Sequence, residues 1–147
     1  MPIEIARVER GLYLNRWLGV VTLDDVAGAA QTGRALMQTH DEAQVVLVND
    51  LAAAERLPGD VRVLRRLAAD NPQVIALLVV SAPSLVRVMA EAQAAGAPWQ
   101  VGFFDSIDAA CAHGRGLLAA GSTKAGSLPS PPGPLSRKAG EGEQDEA

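Results

Sequence analysis

The sequence is short of what a reaction centre, a metal site or a membrane span would need. Cys111 is the one cysteine in 147 residues, so the chain can form no internal disulfide and no thiolate cluster. Lysine is confined to Lys124 and Lys138, near the far end. Up to Gly121 every fixed positive charge is an arginine, and the acidic residues outnumber them. A P-loop lysine and a Schiff-base lysine are therefore excluded from that region. A net charge of −4 and no basic run argue against nucleic acid as a partner. Histidine is limited to His40 and His113. Cys111 and His113 are two apart, which on a helix turns them about 200° from one another, so they share no metal. Aromatics are limited to Tyr13, Trp17, Trp99, Phe103 and Phe104. The longest apolar run, Val74 to Val80, is too short to span a bilayer. Met1-Pro2-Ile3-Glu4 leads straight into an alternating pattern with charges rather than a secretory leader, so a reducing, cytoplasmic location is expected. One more gap matters later: no Ser, Thr or Tyr occurs between Thr39 and Ser81.

Val, Leu, Ile and Ala carry the hydrophobic content of 48%, which suits β-branched strands covered by Ala/Leu helices. Ile3, Ile5 and Arg7 alternate with Glu4, Ala6 and Val8, a strand period. Glu9-Arg10-Gly11 then turns the chain into Leu12–Leu18, predicting an antiparallel hairpin. Thr22 and Asp25 form a capping box, with Leu23, Val26, Ala30, Gly33 and Met37 as the apolar face of a first helix. Val45–Val48 and Val74–Val80 read as strands buried on both faces, as in a parallel sheet. Between them, a linker over 50–59 leads to a second helix with Val61, Leu64, Leu67 and Ala68 on one side, stopped by Asn71-Pro72. Pro83 opens a third helix that ends at Gly96, and Trp99–Phe104 is the last strand. Asp105 or Ser106 caps a fourth helix with the stripe Ile107, Ala110, Cys111, Gly114, Leu117 and Leu118. The order is ββαβαβαβα, an α/β fold whose mixed, mostly parallel sheet carries an N-terminal antiparallel hairpin. Composition shifts at Gly121, which predicts a domain over 1–121 and a disordered Pro/Gly/Ser/charged tail over 122–147.

Three segments resemble STAS domains. Gly19-Val-Val-Thr22-Leu-Asp-Asp25 resembles the family's strand-to-helix junction. Val45-Val-Leu-Val-Asn-Asp50-Leu is similar to the strand ending in Asp-Leu before its regulatory loop. Phe103-Phe-Asp-Ser-Ile-Asp-Ala-Ala110 looks like the junction before its last helix. The resemblance covers residues 1–120 and implies a four- or five-stranded STAS-like sheet with helices. It also implies a protein-interaction or regulatory role, as in anti-sigma-factor antagonists controlled by phosphorylation of a serine at the start of the second helix. Here Glu55-Arg-Leu-Pro-Gly-Asp60 stands in that place with no hydroxyl, so the usual phosphate switch is not expected. The divergence points toward the neighbourhood of CRAL-TRIO-related lipid-binding sheets.

The expected role is therefore binding to a protein partner, without catalysis, cofactor or metal. Arg62, Arg65 and Arg66 lie opposite the apolar face of the second helix, with Arg56 in the loop before it. Together they read as a basic patch for an acidic partner or small anion, against the alternative of a solvated face paired with Asp60 and Asp70. Trp17 and Trp99 could flank an apolar pocket, which gives the second functional reading, a carrier or sensor of a small lipid-like ligand. Cys111 is expected to be a buried inert thiol, and Asp50 a turn or capping residue.

Overall fold

A computed structural model describes residues 2–58, 71–84, 86, 87, 91 and 99–127, the last six of these by backbone alone. The elements are β1 (Ile3–Glu9), β2 (Leu12–Trp17), β3 (Gly19–Val20), α1 (Leu23–Thr39), β4 (Val45–Asp50), β5 (Ala54–Arg56), β6 (Val74–Val80), β7 (Gln100–Phe104) and α2 (Ile107–Ser127). Five strands form one sheet in the order β1-β2-β4-β6-β7. β1 and β2 are antiparallel, while β2·β4, β4·β6 and β6·β7 are parallel. This is the mixed sheet with its hairpin at one edge that the alternation predicts. α2 corresponds to the fourth helix of the sequence reading and runs to Ser127, past the composition change at Gly121. The second helix lies outside the described residues, and of the third only Ser84, Val86, Arg87 and Glu91 are described, all helical.

Each face of the sheet has its own cover. α1 lays Val26, Ala29, Ala30 and Met37 on the face that presents Tyr13, Leu47, Leu77 and Val79. α2 lays Ala110 and Cys111 on the other face, against Leu12, Val46, Val48, Ala76 and Leu78. The alternating assignment of β6 side chains explains why it reads as one continuous apolar run: both its faces are dry. Gly114 lets α2 approach closely, since a Cβ there would stand 3.0 Å from Val46 Cγ1 and 3.1 Å from Leu12 Cδ1. The apolar stripe assigned to the fourth helix is the face that packs. The face assigned to the first helix needs one correction. Leu23 is 42% exposed, being the first residue of α1 with no helical turn before it to shelter it, and Ala29 takes a place in the core instead.

The amino ends of the parallel strands are closed by a clamp built on Glu42, whose side chain is almost wholly buried. Its Oε2 accepts from Arg7 Nε at 2.8 Å and its Oε1 from the Gly11 amide at 3.1 Å. Gly11 has φ +76, and a Cβ there would lie 2.7 Å from the Gln44 carbonyl, so the hairpin turn requires glycine twice over. Gly11 in turn accepts from the Val46 amide at 2.7 Å, which ties the hairpin to the first residues of β4. Burial pushes the Glu42 carboxyl upward, but hydrogen bonds, led by that from Arg7, outweigh it and hold the group below the ordinary carboxylate value. The neighbouring Tyr13 phenol is pushed up to about 12, mainly by burial and then by the Glu42 carboxylate it faces. Its hydroxyl makes no hydrogen bond of good geometry among the described residues.

Candidate functional site at the carboxyl end of the sheet

In an open parallel sheet, loops gather beyond the carboxyl ends of the strands, and ligands and partners are commonly met there. In this chain that end is extended by a small ribbon. The chain breaks from β2 at Leu18, turns at Gly19 with φ +62, and resumes as β3. β3 pairs in parallel with β5, through Gly19 N–H donating to Ala53 O and Val21 N–H donating to Arg56 O, both at 2.9 Å. The ribbon thus carries the β2·β4 pairing beyond the main sheet. β5 lies in the segment over 50–59 read as a linker and β3 in the junction between the second strand and the first helix, since two or three residues are too few to show a period.

α1 begins directly after β3. Thr22 Oγ1 accepts from the Asp25 amide at 3.2 Å, and the Asp25 carboxylate accepts from the Thr22 amide at 2.9 Å. The predicted capping box is present, and it occupies amides at the helix start that an anion would otherwise use. Asp50, at the end of β4, accepts from the Ala52 amide at 3.0 Å, the turn role expected of it. Its other oxygen lies 3.9 Å from Arg16 Nε, a loose and half-exposed pair of small energetic weight.

Beneath the ribbon lies a polar cluster that sequence alone did not reveal. Asn15 and Asn49 are cross-strand partners on β2 and β4, at 5% and 2% exposure. Asn49 Oδ1 accepts from Trp17 Nε1 at 3.2 Å and from Asn15 Nδ2 at 3.3 Å. Asn49 Nδ2 and Asn15 Oδ1 find no hydrogen-bond partner among the described residues. The cluster is therefore only partly satisfied, and it supports the strand end from which the ribbon departs.

Of the four arginines assigned to the basic patch, Arg56 is exposed at the end of β5. Arg62, Arg65 and Arg66 lie outside the described residues. Beside Arg56 runs an open groove of ≈ 440 Å³, bounded by Val20–Asp24 on one segment and Arg56–Pro58 on the other. The two tryptophans are not brought together. Trp17 is buried with Val26, Leu51 and Val79, whereas Trp99 is buried with Tyr13, Met37 and Leu77. Neither lines the cavity under α1, which is ≈ 10 Å³ between Ile5, Asn15, Ala30 and Met37. That is room for about one water molecule, far below the roughly 300 Å³ at which small-molecule sites begin.

Cys111 is buried on the far face of the sheet, and burial pushes its thiol up, away from the reactive thiolate. His113 lies on α2 with its ring 5.3 Å from that of Phe104, and His40 is the C-cap of α1. Among the described residues no three His, Cys, Asp or Glu side chains are placed to hold a metal ion. No helix is long and apolar enough to cross a membrane, among those same residues.

No protein-family model matches the sequence, and no curated protein matches it. Solved structures do. A DUF3478-family protein from Shewanella loihica PV-4, described as uncharacterized and as having a SpoIIAA-like fold, superposes with a TM-score of 0.56 at 13% identity, covering 76% of this chain and 91% of that one. The anti-sigma factor antagonist SpoIIAA in its unphosphorylated form superposes with a TM-score of 0.51 at 9% identity, covering 82% of this chain and 97% of that one. At such identities the likeness speaks for architecture alone, and it agrees with the strand order, the hairpin and the covering helices. The domain has the STAS-type fold of SpoIIAA.

Proposed function

We propose that the chain is a non-enzymatic, STAS-like regulatory module that binds a protein partner through the carboxyl end of its sheet. Arg56 is the polar contact within the described residues, and Arg62, Arg65 and Arg66, which lie outside them, belong to the same proposed patch. The observation that carries this reading is the exposed Arg56 at the tip of the ribbon, beside an open groove with apolar walls. The fold adds to it, since the SpoIIAA of the comparison is an anti-sigma factor antagonist. The gap without Ser, Thr or Tyr from residue 40 to residue 80 supports a module that works without a phosphoserine switch in that segment. The working unit is the domain read over residues 1–121, whose last helix continues to Ser127 into the Pro/Gly/Ser-rich tail read over 122–147, and the setting is the cytoplasm.

The test is affinity capture from a native lysate, comparing the unaltered chain with a variant in which all four arginines are alanine. The expected result is selective loss of the proteins captured by the unaltered chain, with an unchanged circular dichroism spectrum. An identical captured set from both chains would sink the assignment. The second reading, a carrier of a lipid-like ligand, finds no support in the ≈ 10 Å³ cavity under α1, which is too small to hold such a ligand.

A further inference from the structure

The ribbon groove carries a property that a basic patch for an acidic partner does not need: it is complementary to itself. Val20 and Leu23 are 54% and 42% exposed, and both line this groove. Its two bounding segments bear opposite charges, Asp24 on one and Arg56 on the other. Among the described residues neither side chain is held in an ion pair. We propose that the occupant of this groove is a second copy of the chain, docked about a two-fold axis passing beside Val20.

Two physical points converge on a copy rather than a different protein. A two-fold operation carries each copy's Asp24 toward the other's Arg56, so one apolar strip is flanked by two equivalent ion pairs. A partner of a single charge sign would match only one side of the groove.

The strip is small, so the association is of the weak, concentration-dependent kind. It covers Arg56, and therefore competes with any partner that uses the same arginine. Self-association would in this way set how much of the recognition surface is free, a form of regulation that needs no phosphoryl group.

Sedimentation velocity over about 10 μM to 1 mM, the range in which weak protein pairs form, tests the proposal. The unaltered chain is expected to shift from monomer to dimer across that range. Asp24→Arg alone and Arg56→Asp alone place like charges opposite one another twice, and each should raise the dissociation constant at least about tenfold. An equimolar mixture of the two variants restores both pairs, so it should dimerise where neither does alone. That recovery cannot arise from misfolding, and circular dichroism of each variant provides a second check. A chain that stays monomeric at the highest concentration overturns the proposal, and so does a mixture that fails to associate. A monomer that still captures proteins through its arginines would overturn self-association alone. A dimer that captures nothing would overturn only the partner reading of the preceding section.

Discussion

The two ends of the same sheet handle polar groups in opposite ways. At the amino end, Glu42 is buried and engaged by Arg7 and the Gly11 amide, so that a hairpin, a helix end and a central strand are tied at one point. At the carboxyl end, Asn15 and Asn49 are equally buried, yet each leaves one side-chain atom without a partner among the described residues. Above them the apolar side chains of Val20 and Leu23 face solvent. At the amino end the buried charge is paired, although the Tyr13 hydroxyl beside it finds no partner among the described residues. The exposed apolar side chains belong to the other end, and this difference separates stability from recognition. The first end specifies the fold, and the second is left with free energy to gain from contact.

The sharpest way to break that contrast is to remove the carboxylate of the clamp. Glu42→Ala leaves the Gly11 amide without its acceptor and should destabilise the fold by about 2–3 kcal/mol. Urea denaturation followed by circular dichroism reads this as a lower midpoint at unchanged slope. At the other end, Asn49→Leu deprives both Trp17 and Asn15 of an acceptor and should cost about 1–2 kcal/mol. Asn15→Leu should change stability by less than about 1 kcal/mol. It deletes an atom that already lacks a partner, while Trp17 keeps its bond to Asn49. If the two asparagines proved equally costly, the cluster would be a second clamp and the contrast would fail.

The pH dependence is a gentler probe. Glu42 is held below its ordinary value in the folded chain, so its contribution is fully present above the unfolded value of about 4.3. That contribution fades as pH falls through the lower folded value, as protons bind the unfolded chain first. Tyr13 sets the alkaline limit. Its folded value of about 12 means that the unfolded phenol ionises first, so stability falls as pH rises above the ordinary phenol value of about 10 toward that value. In Glu42→Gln the acid-side loss should shrink and the alkaline-side loss should persist, as measured by urea midpoints across pH. The smallest expected effects lie in the groove. Val20→Ser and Leu23→Ser should each leave stability within about 0.5 kcal/mol, since both side chains are already largely in water.

How much of this was legible in the sequence follows the same division. The hairpin, the capping box at Thr22 and Asp25, the doubly buried β6 and the packed stripe of α2 repeat over enough residues to show a period. Glu42 could not be recognised, because its partner Arg7 is 35 positions away and nothing in Thr39-His40-Asp41-Glu42-Ala43 marks one acid as buried. Asn15 and Asn49 each sit at a position where a strand's alternation alone does not distinguish a buried amide from an exposed one. β3 and β5 are too short for any periodic signal, and it is their pairing that shapes the groove. Arg56 was legible as a candidate. Leu23 was read as core because helical spacing reports which side of a helix is apolar, not how far along the helix the burial extends.

Amide hydrogen exchange compares the two ends directly within one sample. The Gly11 and Val46 amides, bonded at the clamp, should exchange only through global unfolding. The Gly19 and Val21 amides, bonded across the ribbon, should exchange by local opening at least about tenfold faster. Equal protection at the two ends would contradict the claim that one is built for stability and the other left open for contact.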